Sequence, residues 1–180
     1  MKGIIFTEFL EMVEDKFGFD MLDTIIADAH DPQDGAYTAI NTYSHTQLVD
    51  LVVALHKKTE IPLPDLLQVY GRHLFEKLAE NYPSLIEGIT DPFTMLVDIE
   101  VLIHTEVRKL YPEANPPKFY GKILDENTLE LTYESHRSMG DVAEGLIMGC
   151  GDYFKIPLHV KQQSIENDGK KVGFLITKNG

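Results

Sequence analysis

The chain has 180 residues, 43 % of them apolar, enough for one domain with a substantial core. Sixteen basic and twenty-nine acidic side chains leave a net charge of −13, which argues against nucleic acid or an anionic membrane as partner. The single cysteine, Cys150, excludes an internal disulfide framework and a multi-cysteine zinc or iron–sulfur site.

The first residues carry no secretory apolar core, because Glu8, Glu11, Glu14 and Asp15 interrupt it. No stretch approaches the ~20 apolar residues of a membrane span. A soluble cytoplasmic protein is expected. Ile4, Ile5, Phe9, Met12 and Val13 share one side of a first helix that should end near Gly18. Met21 to Ala29 reads as a second helix, followed by a turn at Asp31-Pro32-Gln33-Asp34-Gly35. Ser44 or Thr46 caps a third, with Leu48, Leu51, Val52 and Leu55 inward, and Pro62 and Pro64 break the chain after it. Asp65 to Asn81 is helical again, with Leu66, Val69, Tyr70, Leu74 and Leu78 on its inner face.

Asp91 caps the next helix, Pro92 fits its first turn, and Pro112 stops it. Phe93, Val97, Glu100, His104, Val107 and Tyr111 recur at spacings of four and three, so they line one side of a helix from Asp91 to Tyr111. That stripe is apolar except for Glu100 and His104. On spacing alone His104 is either a core histidine bonded to a neighbour or a ligand to a metal or cofactor.

After Asn115-Pro116-Pro117 the period changes. Lys118 to Leu124 and Thr128 to Arg137 read as strands around a turn at Asp125-Glu126-Asn127. Ser138 and Asp141 resemble a capping box opening a helix with Val142, Leu146, Cys150 and Phe154. Two further strands, roughly Ile156 to Ile165 and Lys171 to Thr177, flank a turn at Asn167-Asp168-Gly169. The fold class is α+β: helices first, then an antiparallel four-stranded sheet with one inserted helix.

Within the second strand Leu129, Leu131, Tyr133, Ser135 and Arg137 alternate onto one face. A phenol, a hydroxyl and one of only three arginines thus stand together at the end of an apolar surface. All three donate to anionic oxygens, and a buried arginine needs a partner. Internal carboxylates could serve. So could an apolar ligand carrying two carboxylates, and haem with its two propionates has that form. A neutral imidazole binds haem iron at one axial position and leaves the other open to a diatomic gas.

The runs His104-Thr105-Glu106-Val107-Arg108-Lys109-Leu110-Tyr111-Pro112 and Tyr133-Glu134-Ser135-His136-Arg137 resemble the two signatures of the haem nitric oxide/oxygen-binding family. This sensor domain also occurs in soluble guanylate cyclase. Met1-Lys2-Gly3, Pro116-Pro117 and Glu144-Gly145-Leu146 match it in order and spacing, so the resemblance covers essentially the whole chain. It implies a stand-alone bacterial sensor of residues 1–180 binding haem b. The distal helical part is roughly 1–60; the proximal part, 61–180, carries the sheet and the proximal-histidine helix. It implies His104 as the iron ligand, and Tyr133, Ser135 and Arg137 as holders of the propionates. Pro117 would press on the porphyrin, and Ile5, Phe9, Leu74, Leu78, Val142 and Leu146 would line the pocket.

The departures from the family pattern concern the gas. Oxygen-binding members carry a distal tyrosine where this chain has Val142, and polar supporting residues where it has Phe9 and Leu74. Bound oxygen needs a donor far more than nitric oxide does, and such a hydrogen bond contributes about 1.5–3 kcal/mol, roughly ten- to a hundred-fold in affinity. The resemblance therefore implies a nitric oxide receptor that excludes oxygen and also takes carbon monoxide. His73 stands beside Leu74 rather than on its face. Signalling would follow loss of the iron–His104 bond and relaxation of the haem away from Pro117. Output would pass to a separate histidine kinase, diguanylate cyclase or phosphodiesterase. Two alternatives differ in class: a peroxidase-like haem enzyme, which wants a distal acid–base group, and a haem-free domain for an apolar carboxylate.

Overall fold

The computed structural model describes residues 1–178. Its first half is helical. Helix α1 spans Ile4–Phe17 and α2 Phe19–Asp28, with Gly18 between them at a φ of 86° that suits glycine. Helix α3 spans His45–Thr59, and the Ser44 side chain caps it by accepting from the Thr46 N–H. Helix α4 runs from Leu63 to Asn81, starting two residues earlier than expected because Pro64 falls in its first turn.

The helix expected from Asp91 to Tyr111 is three pieces. Asp91 caps α5 (Pro92–Ile99) by accepting from the Thr94 N–H. Glu100–His104 is a π-turn, and α6 (Thr105–Leu110) follows. A widened turn inside a helix is often found at functional sites.

The second half contains β1 (Lys118–Asp125), β2 (Thr128–Glu134), α7 (Gly140–Tyr153), β3 (Leu158–Glu166) and β4 (Lys171–Lys178). The strands form an antiparallel sheet in the order β1-β2-β4-β3. The α+β class is therefore observed. Two local expectations are corrected. Strand β2 stops at Glu134, opposite Lys171 at the start of β4, because beyond it the neighbouring chain turns through Asn167 and Asp168 at positive φ. Ser135 and Arg137 thus lie just past the strand. The capping box at Ser138 does not form: Ser138 has a φ of 53°, and α7 starts after Met139 with no side-chain cap.

Two apolar cores share α4. Leu66, Tyr70 and Leu74 pack with α1, α2 and α3, while Phe75 and Ala79 pack with α5, α7 and the sheet. Helix α4 lies tightly against α7. A Cβ on Gly145 would come 2.8 Å from the Gly71 Cα, so both helices need a residue without a side chain there. Among the described residues no helix is long and apolar enough to cross a membrane.

Candidate functional site

A cavity of about 380 Å³ opens between the two cores, within the roughly 300–1,000 Å³ typical of cofactor and small-ligand pockets. The π-turn and α6 supply His104, Ile103 and Val107 to its wall; the loop before β1 supplies Pro116 and Pro117. The end of β2 and the turn beyond it bring Tyr133, Ser135 and Arg137. The helical layer contributes Ile5, Tyr70, Leu74 and Leu78, and α7 contributes Val142 and Leu146. Every sequence-derived candidate is therefore on the wall except Phe9. Phe9 is fully buried behind it, edge-on to Tyr70 at 5.3 Å between ring centroids.

His104 is 8 % exposed. Its Nδ1 lies 2.6 Å from Oε1 of Glu100, and the same oxygen accepts the Phe119 N–H at 3.1 Å. Oε2 of Glu100 accepts from Arg108 at 3.0 Å. Burial works to raise the Glu100 carboxyl, but the hydrogen bonds from His104 and Arg108 outweigh it and hold its pKa below the usual range. Burial, opposed by Glu100, keeps the His104 pKa below 6.5. The ring is then neutral at pH 7, with its proton on Nδ1 and its lone pair on Nε2. That is the form in which histidine binds metals. Among the described residues no group of three His, Cys, Asp or Glu side chains could hold a metal ion. A metal on His104 would have to bring its other ligands with it.

The second cluster is a set of hydrogen-bond donors. The Tyr133 oxygen accepts the Met139 N–H at 3.1 Å, and the Ser135 oxygen accepts the Arg137 N–H at 3.2 Å. Neither hydroxyl donates to a backbone carbonyl, and Ser135 also hydrogen-bonds the Tyr133 phenol. Arg137 gives one hydrogen bond to the Asn115 carbonyl at 2.8 Å, while its Nε is buried without a partner. No salt bridge reaches Arg137 from any described carboxylate. The internal-carboxylate explanation of this group is not what the geometry shows. Three donors at the end of an apolar cavity suit an anionic group on an otherwise apolar ligand.

Tyr70 is the residue that sequence reasoning assigned to packing alone. It lines the cavity, yet its hydroxyl donates to the Ile5 carbonyl, so the proton is committed. Only the depth of the cavity, a tertiary property, reveals it. His73, on the same helix, is not on the wall and faces Glu8.

A lone neutral imidazole and a group of donors suited to carboxylates thus line one apolar cavity, which makes this a pocket-bearing domain for an acidic, otherwise apolar ligand. A family model described as Haem-NO-binding matches residues 2–162. The H-NOX protein of K. algicida in the unliganded Fe(II) state is 40 % identical, covers 100 % of this chain and 97 % of its own, and superposes at a TM-score of 0.92. The H-NOX protein of S. oneidensis in the Fe(II)NO state is 27 % identical over 100 % of both chains, also at 0.92. The H-NOX from Shewanella woodyi, bound to IWP-051 in the Fe(II)CO state, is 36 % identical, covers 99 % of this chain and 95 % of its own, and superposes at 0.83. A comparison with curated proteins finds no match. The chain belongs to the Haem-NO-binding family.

Proposed function

We propose that this protein is a haem-based sensor of nitric oxide that excludes oxygen and signals to a separate protein. One observation carries the reading: the free Nε2 of His104 and the donor groups of Tyr133, Ser135 and Arg137, with the buried Arg137 Nε unpartnered, face one apolar cavity. These residues fit haem b. When bound there, that group would supply an iron(II) centre able to take a diatomic gas, with His104 as the residue that would hold the iron.

The remaining chemistry belongs to the chain. His104 donates its Nε2 lone pair, and Tyr133, Ser135 and Arg137 hold the two carboxylates. Pro117, on the cavity wall, would pack against the bound group. Ile5, Leu74, Leu78, Val142 and Leu146 exclude water from the gas-binding side. None of those five side chains donates a hydrogen bond, and the Tyr70 hydroxyl is committed to Ile5. A pocket of this kind retains nitric oxide or carbon monoxide and discriminates against oxygen, which needs a donor. None of those five side chains is an acid–base group for peroxide chemistry. Cys150 is fully buried and off the cavity wall, so a thiolate ligand is not at hand. We therefore read a sensor rather than an enzyme.

Release of His104 is the proposed switch. His104 sits where the π-turn passes into α6, so freeing its ring lets that segment shift against β1. The proposed recipients, a histidine kinase or a cyclic-di-GMP enzyme, rest on the resemblance to stand-alone bacterial sensors. Absorption spectra of the reduced, haem-loaded protein test the reading. The expected result is a Soret band that shifts with nitric oxide and carbon monoxide and shows no stable oxygen complex in air. Failure to take up added haem would overturn it.

A further inference from the structure

We propose that Glu100 is the positioning residue for His104: its carboxylate holds the Nδ1 proton, aims Nε2 into the cavity and strengthens the imidazole as a metal donor. The inference rests on the haem reading above and deepens it.

Three features support it. Residues 100 and 104 are four apart and share a side of the π-turn, so the carboxylate meets the ring at 2.6 Å. The carboxylate is fixed from outside that turn as well, by the Phe119 N–H of β1 on Oε1 and by Arg108 of α6 on Oε2. Glu100 therefore has little freedom to swing away, and neither does the ring it holds. Finally, the hydrogen bond is charge-assisted, and such a bond pulls the Nδ1 proton toward the oxygen and raises electron density on Nε2. Partners of this kind orient a metal-binding histidine and raise its basicity.

Arg108 makes the sign of the effect testable. Its guanidinium draws charge toward Oε2 and so weakens the pull of Oε1 on the Nδ1 proton. Removing the Glu100 charge and removing the Arg108 charge should therefore move His104 in opposite directions. A carboxylate that only braced the π-turn against β1 would produce no such opposition.

The experiment uses the full chain loaded with haem and reduced. The iron–histidine stretching band is read by resonance Raman spectroscopy in the parent, Glu100→Gln and Arg108→Met proteins. Glutamine keeps an acceptor for His104 and Phe119 but removes the charge. The band is expected to shift down in Glu100→Gln and up in Arg108→Met. A second readout uses His104→Gly with added imidazole. Its imidazole affinity should fall about ten- to a hundred-fold when Glu100→Gln is introduced as well. Unchanged bands in both single variants, or unchanged imidazole affinity, would overturn the proposal while leaving the haem reading standing. A parent protein that takes up no haem would overturn both.

Discussion

Oε2 of Glu8 and Nε2 of His73 face each other across 3.9 Å between α1 and α4, and neither atom has a hydrogen-bond partner. Both side chains are about nine-tenths buried. This pair explains why His73 supplies no donor to the gas-binding side: its ring is turned toward α1 rather than into the cavity.

The pair also makes stability depend on pH. Burial, with the charge of Glu11 added and that of Lys77 opposing, raises the Glu8 pKa above its usual 4.5. A raised carboxyl stabilises the fold fully below pH 4.5 and loses that contribution as pH climbs through its folded value. Burial lowers the His73 pKa below 6.5, so its contribution is present above pH 6.5 and lost as pH falls through its folded value. Glu8→Gln removes the alkaline loss. We expect it to be more stable than the parent at pH 8 and no different from it below pH 4.5. Thermal denaturation at the two pH values checks this, and a variant less stable than the parent at pH 8 would contradict it.

His104→Gly should abolish stable haem retention. Among the described residues no other histidine and no cysteine lines the cavity to replace the ligand, and its walls are otherwise mostly apolar. Added imidazole should restore the Soret band by occupying the vacated volume and bonding to Glu100. A variant that retains haem with an unchanged spectrum in the absence of imidazole would remove His104 as the ligand.

Much of this site was legible because its signals are local. The four-and-three spacing from Phe93 to Tyr111 needs no tertiary knowledge, and His104 emerges inward as that spacing requires. The π-turn was not legible, since Glu100 and His104 share a side in an α-helix as well. The clamp was found by an alternation that outlasts its strand. Tyr133 points inward because β2 still pairs with β4 there, but Ser135 and Arg137 reach the cavity from the turn that follows. Phe9 was assigned to the wall by analogy of position and lies one layer behind it. Tyr70 was missed because inner-face spacing does not say how deep the inner face goes.

Arg137→Ala should weaken haem binding. The guanidinium has one bond to a backbone carbonyl and a buried Nε left over, so its unspent capacity awaits an anion. A hydrogen bond to a charged group contributes about 1.5–3 kcal/mol, so affinity should fall roughly ten- to a hundred-fold. Competition for haem with a high-affinity apoprotein measures this. Retention equal to the parent would count against the clamp.

Val142→Tyr should convert the pocket toward oxygen. Val142 is 7 % exposed and stands in the first turn of α7, on the same wall as Leu74 and Leu146. A tyrosine there extends into open volume rather than into packed core, and it carries the hydroxyl that the gas-binding side lacks. The Tyr70 hydroxyl cannot take that part while it donates to Ile5, and His73 faces α1, off the cavity wall. One donor to bound oxygen is worth roughly ten- to a hundred-fold in affinity, whereas nitric oxide gains much less. The expected outcome is an oxygen complex that persists in air for Val142→Tyr and is absent from the parent, followed by absorption and by the rate of oxygen loss after mixing with carbon monoxide. An air-stable complex in the parent would mean that a donor already reaches the gas, and Tyr70 would be the first residue to replace, with phenylalanine, to find it.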